Sequence, residues 1–211
     1  MWTLPNVLTL ARIGLAPVIA LLPFIEGYWP KVIAFVIFVV AAVSDVIDGY
    51  LARRSRQVTD LGKLLDPAAD KLLLVATLVP IYWLTRHPTV LYGIKWWGSL
   101  PLWVALILVG RELAMTVLRF LGQRRGVVIP AGREGKLKAI VQYVFIGATI
   151  AWFAWKDLLV RTGLTGRMRN AWDEFHGAFV AVTLALALLL TVWSFAVYLY
   201  RYRALLRGAR G

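Results

Sequence analysis

Six apolar stretches follow one another along the 211-residue chain, each close to the length of a membrane-spanning helix. Such a helix takes about 20 apolar residues. Polar and charged residues gather between the stretches, and no repeat or long linker divides them. The pattern predicts one all-α membrane domain over residues 1–211, with six transmembrane helices at approximately 7–25, 32–52, 66–85, 97–120, 136–155 and 178–200.

The third and fourth stretches differ from the others because they carry charge. Asp66 and Asp70 lie at the start of the third, and Arg111 and Glu112 lie inside the fourth. An ionised side chain within a span costs about 2.5–3.5 kcal/mol on insertion scales. These charges therefore need partners, and they are the first candidates for function.

Composition narrows the class of protein. Hydrophobic residues make up 60% of the chain and charged residues only 17%, which excludes a disordered chain and argues against a soluble enzyme. There is no Cys and there are two His, so thiol catalysis, Cys-ligated metal sites and multi-His metal centres are excluded. Any bound metal must be held by oxygen ligands.

The net charge of +13 favours an anionic membrane face and phosphate-bearing ligands, and in so apolar a chain we expect no nucleic-acid partner. Seventeen of the 24 Lys and Arg fall on the side that holds the N-terminus, residues 53–71, residues 111–138 and the C-terminal tail. Basic residues concentrate on the cytoplasmic side of membrane proteins. The distribution predicts that both termini are cytoplasmic.

Four aspartates are the most informative residues. At 100° per residue, Asp45, Asp48, Gly49 and Ala52 share one helix face, and Gly62, Asp66 and Asp70 form a second stripe. If the two helices face each other, four carboxylates converge. Hard divalent cations would relieve their mutual repulsion, and two such ions suit four carboxylates.

A plainer interpretation of these positions stays open. The aspartates would then only pair with nearby basic residues close to the membrane interface, namely Arg53, Arg54, Lys63 or Lys71. The small residues Gly49, Ala52 and Gly62 would then only allow helices to pack closely.

The spacing D-x2-D-G-x2-A-R-x8-G-x3-D-x3-D runs from Asp45 to Asp70 with every fixed position filled. It resembles the signature of the CDP-alcohol phosphotransferase family, integral membrane enzymes of phospholipid synthesis with a six-helix fold. The resemblance implies that Asp45, Asp48, Asp66 and Asp70 hold two divalent cations, Mg²⁺ or Mn²⁺, and that Asp70 is also the catalytic base. It implies that Arg53 grips the diphosphate of CDP-diacylglycerol beside Gly49, Ala52 and Gly62.

Three further segments bear on the acceptor alcohol. Leu4–Arg12 (LPNVLTLAR), Gly110-Arg111-Glu112 and Gly135-Lys136-Leu137-Lys138 resemble segments of the family branch that uses glycerol 3-phosphate. By this resemblance Asn6 and Thr9 contribute to the donor site. A basic cup for the acceptor's phosphate would contain Arg111, Arg119, Lys136 and Lys138.

Each of these segments also has a structural explanation. Asn6 and Thr9 would cap a helix whose Arg12 reaches the interface, and Lys136 and Lys138 would anchor the cytoplasmic edge. Arg111 would pair internally with Glu112 or with an aspartate.

The resemblance as a whole implies transfer of the phosphatidyl group of CDP-diacylglycerol to glycerol 3-phosphate, with release of CMP. It implies a homodimer in the bacterial inner membrane, among membrane lipid, with the active site facing the cytoplasm. The nearest alternative is a relative that uses inositol phosphate. An alternative of another class is a small cation channel or transporter lined by the aspartates.

Overall fold

In a computed structural model the backbone is described over residues 4–55, 60–86, 92–127, 129–130 and 132–203, without the side chains of 4, 5, 46–55, 60, 61, 63, 64 and 133. Six long helices make up most of these ranges: α1 (Leu4–Leu21), α2 (Tyr28–Ser55), α3 (Asp60–Leu84), α4 (Leu102–Arg124), α5 (Arg133–Thr162) and α6 (Arg167–Arg201). A short 3-10 helix, Leu22–Phe24, follows α1. The predicted all-α fold is confirmed.

Five of these helices, all but α4, are long and apolar enough to cross a membrane. The exception, α4, is the helix that carries Arg111, Glu112 and Arg119. Large apolar side chains point out of the bundle, for example Val40 with 54% and Leu189 with 65% of their surface exposed. A soluble monomer rarely exposes apolar surface on this scale, whereas a bilayer requires it. The helices are those of a membrane protein.

Proline and glycine mark where helices begin and end. Pro5 lies in the first turn of α1, where its missing N–H costs no hydrogen bond. Pro101 is the extended residue before α4. Gly163 ends α5 in the left-handed conformation, with φ of 61°, and its N–H donates to the carbonyl of Leu159. Glycine is the residue that adopts this cap at least cost.

The helices differ from the predicted spans chiefly at their polar ends. The helices α5 and α6 are longer than their predicted spans, since α5 continues through residues 156–162 and α6 includes residues 167–177. The prediction follows apolar stretches, and the polar turns at the end of a long helix lie outside such stretches. The fourth helix begins at Leu102 rather than at 97. Before it, Ile94 and Gly98 exchange two backbone hydrogen bonds in a tight turn, with φ of 68° at Gly98.

The helices pack so that α1 contacts both α2 and α3, α2 contacts α5, α5 contacts α6, and α4 contacts α3 and α6. The core between them is formed by side chains such as Phe38, Leu73, Phe145, Phe153 and Leu184, each at most 2% exposed. Burial of each such side chain contributes about 1.5–3 kcal/mol in water. Within a bilayer, lipid is as apolar as leucine, so the core side chains there stabilise the bundle through close packing instead.

A buried ion pair ties the start of α2 to α5, at the end of the bundle where α1 finishes. Lys31 Nζ lies 2.7 Å from Asp157 Oδ2 and also donates to the carbonyl of Ile25. Asp157 further accepts hydrogen bonds from Gly27 N and from the hydroxyl of Tyr92. Burial, helped by the hydrogen bond to Asp157, raises the pKa of Tyr92, which keeps its hydroxyl as a donor to that carboxylate.

Candidate active site

Arg12 joins two of the four aspartates at the opposite end of the bundle. Its Nη1 donates to Asp45 Oδ1 at 2.6 Å and to Asp70 Oδ1 at 3.0 Å. Asp45 comes from α2 and Asp70 from α3, while Arg12 comes from α1, which packs against both. The guanidinium is almost fully buried, with 1% of its side chain exposed, and the two carboxylates are one-third to one-half exposed. Two anionic groups from separate helices therefore meet at one cation.

The polar face of α1 continues towards its N-terminus. Thr9 Oγ1 donates to Asp66 Oδ1 at 2.7 Å, and both Thr9 and Asn6 are buried. Asn6, Thr9 and Arg12 recur at intervals of three residues, so they lie close to one face of the helix. The interpretation of Asn6 and Thr9 as a simple helix cap does not account for the hydrogen bond from Thr9 to α3.

This arrangement differs from the one expected from spacing. The sequence argument has the aspartate stripes of α2 and α3 facing each other directly. In the described part of the chain, α1 instead contacts both helices and places Arg12 between Asp45 and Asp70. The convergence of acidic residues thus involves three helices, and its partner is an arginine from the N-terminal segment.

Several predicted site residues fall outside the described side chains. They are Asp48, Gly49, Ala52 and Arg53. The backbone of α2 continues through these positions to Ser55, so they lie in its last two turns. Gly62, on the first turn of α3, is described and buried.

The fit of a metal can be judged from the described carboxylates. No three of the carboxylate or imidazole groups among the described side chains, a set that omits Asp48, are grouped to hold a metal ion. Asp45 and Asp70 nevertheless direct one oxygen each to a single cationic nitrogen. Two carboxylate oxygens that converge on one positive centre are hard ligands of the kind that Mg²⁺ and Mn²⁺ prefer. The donor set fits a divalent cation.

A second charged cluster lies where α4, α5 and α6 meet. Glu112 Oε1 accepts hydrogen bonds from Arg111 Nη1, at 3.0 Å, and from Lys138 Nζ. Arg111 Nη2 donates to Ser194 Oγ on α6 at 3.3 Å. Arg111 and Lys138 are buried, and Glu112 is about a quarter exposed. We call Arg111, Glu112 and Lys138 the α4–α5 triad.

The triad accounts for two of the four basic residues predicted to bind the acceptor. A Cβ at Gly135 would lie 3.7 Å from Arg111 Nη2, so the start of α5 lies in contact distance of the arginine. Lys136 is exposed and Arg119 is half-buried. The structure therefore brings Arg111 and Lys138 together and does not place Lys136 or Arg119 in hydrogen-bonding contact with them in the described region. The internal Arg111–Glu112 pair that the sequence left open is present.

The aspartates and the triad belong to one electrostatic region. Lys138 interacts electrostatically with Asp70 as well as with Glu112. Tyr143, also on α5, interacts electrostatically with both Asp45 and Asp70. The two charged clusters are therefore close enough to influence each other electrostatically.

An apolar groove of about 730 Å³ adjoins this region, and Tyr143 belongs to both. Its walls come from α2, α5 and α6, and they include Phe35, Phe38, Val39, Ile140, Gly147 and Phe179. A Cβ at Gly147 would lie 3.4 Å from Phe38 Cε1, so this glycine lies directly beside the ring in the wall of the groove. The groove has the size and composition of a site for hydrocarbon chains.

Three of these residues are not among the site residues that the sequence predicts. Arg12 and Glu112 belong to segments that resemble the family but have no predicted role in the site, and Ser194 lies in an apolar helix where a serine is common. The signal for Arg12 was its place on the same helix face as Asn6 and Thr9. The signal for Glu112 was its position next to a buried arginine. Nothing in the sequence pointed to Ser194.

Comparison with known proteins shows which proteins this chain resembles. The family model of the CDP-alcohol phosphatidyltransferases matches residues 2–193. A protein of Escherichia coli K12 named CDP-diacylglycerol–glycerol-3-phosphate 3-phosphatidyltransferase is 34% identical over 207 residues, 96% of each chain. A protein of Mycobacterium tuberculosis H37Rv named probable phosphatidylglycerophosphate synthase is 41% identical over 147 residues. That match covers 68% of this chain and only 64% of the mycobacterial protein.

Proposed function

Because this chain belongs to the CDP-alcohol phosphatidyltransferase family, we propose that it transfers the phosphatidyl group of CDP-diacylglycerol to the 1-hydroxyl of glycerol 3-phosphate. The products are phosphatidylglycerophosphate and CMP. The observation that carries the proposal is that Asp70 and Asp45, from two helices, converge on Arg12 within the electrostatic reach of the triad. Asp70 accepts a hydrogen bond from Arg12 beside Asp45 and also interacts electrostatically with Lys138. The names of the bacterial relatives support the same activity.

The proposed donor site lies at the ends of α2 and α3. When two divalent cations, Mg²⁺ or Mn²⁺, are bound, they neutralise the diphosphate and make CMP a better leaving group. The ligands would be Asp45, Asp48, Asp66 and Asp70. Arg53 would bind the diphosphate, and the small residues would leave room for the cytidine beside Asn6 and Thr9, namely Gly49, Ala52 and Gly62.

The proposed acceptor site lies between Asp70 and the triad. Arg111 and Lys138 would bind the phosphate of glycerol 3-phosphate, with Arg119 and Lys136 adding positive charge at the entrance. The glycerol would then extend from the triad towards Asp70, which accepts the proton of the attacking hydroxyl. Direct displacement at the phosphorus that carries the diacylglycerol needs no protein nucleophile.

The acyl chains of the donor would occupy the groove between α2, α5 and α6. Tyr143 is common to the groove and the aspartate region, so a lipid with its head among the aspartates has an adjoining apolar path for its tails. The groove is formed by residues that face the bilayer, such as Val39 and Val43. A lipid donor can therefore enter sideways from the membrane.

We place the enzyme in the bacterial inner membrane, as one multi-pass domain with both termini and the active site in the cytoplasm. The basic residues concentrated on that side support this orientation, and glycerol 3-phosphate is a cytoplasmic metabolite. The homodimer implied by the family resemblance is retained as a proposal. Cross-linking in native membranes tests it, and a monomer at all concentrations would contradict it.

One assay tests the activity directly. The purified protein is mixed with CDP-diacylglycerol, Mg²⁺ or Mn²⁺ and either glycerol 3-phosphate or inositol phosphate, and the release of CMP and the lipid product are measured. We expect turnover with glycerol 3-phosphate and loss of turnover when the divalent cation is chelated. Turnover with inositol phosphate alone would reassign the acceptor. Cation flux in proteoliposomes without CMP release would indicate a channel.

A further inference from the structure

The carboxylate of Glu112 occupies the position of an anionic ligand. Its Oε1 alone accepts hydrogen bonds from two cations, Arg111 on its own helix and Lys138 on α5. One oxygen bound by a guanidinium and an ammonium is the arrangement that a phosphate oxygen makes in a protein site. Glu112 thus supplies the negatively charged oxygen that the acceptor's phosphate would supply when it binds.

Arg111 has a donor left over after these contacts. Only 8% of its surface is exposed, and its Nε is buried with no hydrogen-bond acceptor among the described residues. Its Nη1 and Nη2 are taken by Glu112 and Ser194. A buried donor without an acceptor costs about 1–3 kcal/mol. A single carboxylate oxygen leaves this donor unsatisfied, whereas a phosphate has three oxygens to share among the donors.

The exposure of the three side chains favours exchange. Lys138 and Arg111 are almost fully buried, whereas Glu112 is 27% exposed at the side chain. Glu112 is therefore the member of the triad that can rotate towards solvent. Arg111 keeps a second partner in Ser194, and Lys138 is confined by its burial.

We propose that Glu112 holds the place of the acceptor's phosphate group and determines specificity for phosphorylated acceptors. This inference rests on the proposed function. In the free enzyme the carboxylate neutralises Arg111 and Lys138, and a phosphate displaces it because a dianion satisfies both cations and the remaining donor. An alcohol without a phosphate cannot displace it, since doing so would leave two buried cations without a counter-charge. Glu112 thus rejects neutral acceptors and makes every acceptor compete with an internal anion.

The test removes the competing charge while keeping the size of the side chain. In Glu112→Gln the amide competes more weakly for the cations. We expect the KM for glycerol 3-phosphate to fall by about three- to tenfold, the value of one weakened charge-assisted hydrogen bond. The KM for CDP-diacylglycerol should not change. Binding of glycerol 3-phosphate and of inorganic phosphate, measured by calorimetry without the lipid donor, should tighten by a similar factor, and glycerol should bind in neither form.

Glu134→Gln is the matched control. Glu134 lies on the first turn of α5 and contacts Arg201 on α6 at 3.8 Å, so this variant loses the same charge from a more exposed pair near the triad. It should alter neither KM. An equal effect of the two variants would mean that only the overall charge matters, and weaker phosphate binding in Glu112→Gln would mean that Glu112 positions the cations. Either result overturns the proposal.

Two further measurements keep the result unambiguous. If Glu112→Gln does not fold, Glu112→Asp is used instead, because it keeps the charge but shortens the side chain. We expect the KM for glycerol 3-phosphate to fall in this variant too, by a smaller factor. An unchanged or raised KM in Glu112→Asp overturns the proposal.

The wild-type protein distinguishes a failure of the proposed function from a failure of the role of Glu112. If it does not use glycerol 3-phosphate, the proposed function fails. If it does and Glu112→Gln binds phosphate no more tightly, only the role of Glu112 fails.

Discussion

At the scale of single residues, the site depends on charges that neutralise one another across helices. Arg12 serves two carboxylates through one nitrogen, and Glu112 serves two cations through one oxygen. In each case one charged group binds two groups of the opposite charge. A charge inside a membrane protein is tolerated when it is paired in this way. The same pairing leaves charges ready for ionic ligands.

Replacement of Asp70 by Asn tests the catalytic base. The variant keeps the shape of the side chain and loses its ability to accept a proton. Because general-base catalysis contributes about 10²–10⁴-fold, we expect turnover to fall by at least that factor while CDP-diacylglycerol binding is largely kept. CMP release and equilibrium binding of the donor measure the two effects. Near-normal turnover would show that another group takes the proton.

Replacement of Arg12 by Met tests the neutralising role of the guanidinium. The variant leaves Asp45 and Asp70 without their shared cation, and because both are partly exposed we expect a loss of only about 1–3 kcal/mol in unfolding free energy. Thermal unfolding in one detergent measures this loss. Added Mn²⁺ should restore more stability to the variant than to the wild type, since the metal replaces the missing charge.

The control for this experiment is Arg124→Met. Arg124 is an exposed arginine near the C-terminus of α4, where its guanidinium lies over the ring of Phe120. Its loss should change stability by less than about 1 kcal/mol, as for other exposed charges. An Arg12→Met protein as stable as Arg124→Met would show that the two aspartates do not need Arg12.

At the scale of elements, α2 and α5 have two features in common. With α6 they line the apolar groove along the middle of their length, and at the end away from the site Lys31 and Asp157 connect them. The ion pair is buried, with 2% and 8% of the side chains exposed. The separation of these two helices affects the width of the groove, so we expect the ion pair to bear on the proposed binding of the donor.

A double-mutant cycle measures the Lys31–Asp157 pair. Each single variant, Lys31→Met or Asp157→Leu, leaves an uncompensated buried charge, and we expect about 3–5 kcal/mol of destabilisation from each. The double variant replaces the pair by apolar groups and should lose much less than the sum. Unfolding temperatures in one detergent provide the comparison. Additive losses would show that the two charges do not interact.

Replacement of Gly147 by Leu tests the groove. The new side chain would start 3.4 Å from the Phe38 ring and fill the space of the groove. We expect the KM for CDP-diacylglycerol to rise about tenfold or more, since several buried methylenes of the lipid lose their place at about 0.8 kcal/mol each. The KM for glycerol 3-phosphate should stay the same.

Gly14→Leu is the control for the groove variant. Gly14 lies on α1, and a Cβ there meets nothing within 4 Å. The same glycine-to-leucine change in a helix should therefore leave both KM values unchanged. If Gly147→Leu behaves like Gly14→Leu, the acyl chains bind elsewhere.

At the scale of the whole molecule, the charged ends of the bundle predict its orientation. The aspartates, the triad and the basic C-terminal half of α4 lie at one end, and the loop 163–166 lies at the other. Cytoplasmic segments carry the excess of Lys and Arg. The end with the candidate active site should face the cytoplasm.

The absence of cysteine from the sequence makes this orientation easy to test. Single cysteines are introduced by Thr165→Cys in the α5–α6 loop and by Gln123→Cys at the end of α4. A membrane-impermeant thiol reagent should label the first in cells with only the outer membrane permeabilised. It should label the second only after the inner membrane is opened. The reverse pattern would place the active site outside the cytoplasm.

The sequence alone was sufficient for the helical membrane class and for the family, which the structure and the comparisons confirm. Both depend on patterns local to the chain: apolar runs of spanning length, and eight residues at fixed intervals on adjacent helices. It also identified the four aspartates and the basic residues Arg111 and Lys138 of the candidate site, whose roles remain predictions, but it did not assign Arg12 or Glu112 to the site. Charged residues in apolar helices are visible in a sequence because their insertion is costly.

Only the tertiary structure decided which of these charges meet. The contacts of Arg12 with Asp45 and Asp70 join residues 33 and 58 positions apart, and that of Lys138 with Glu112 joins residues 26 apart. Such pairs depend on how the helices pack, and helical periodicity specifies a face without specifying its neighbour. For the same reason α1 contacts both α2 and α3, and Glu112 occupies the two cations expected to be free for a phosphate.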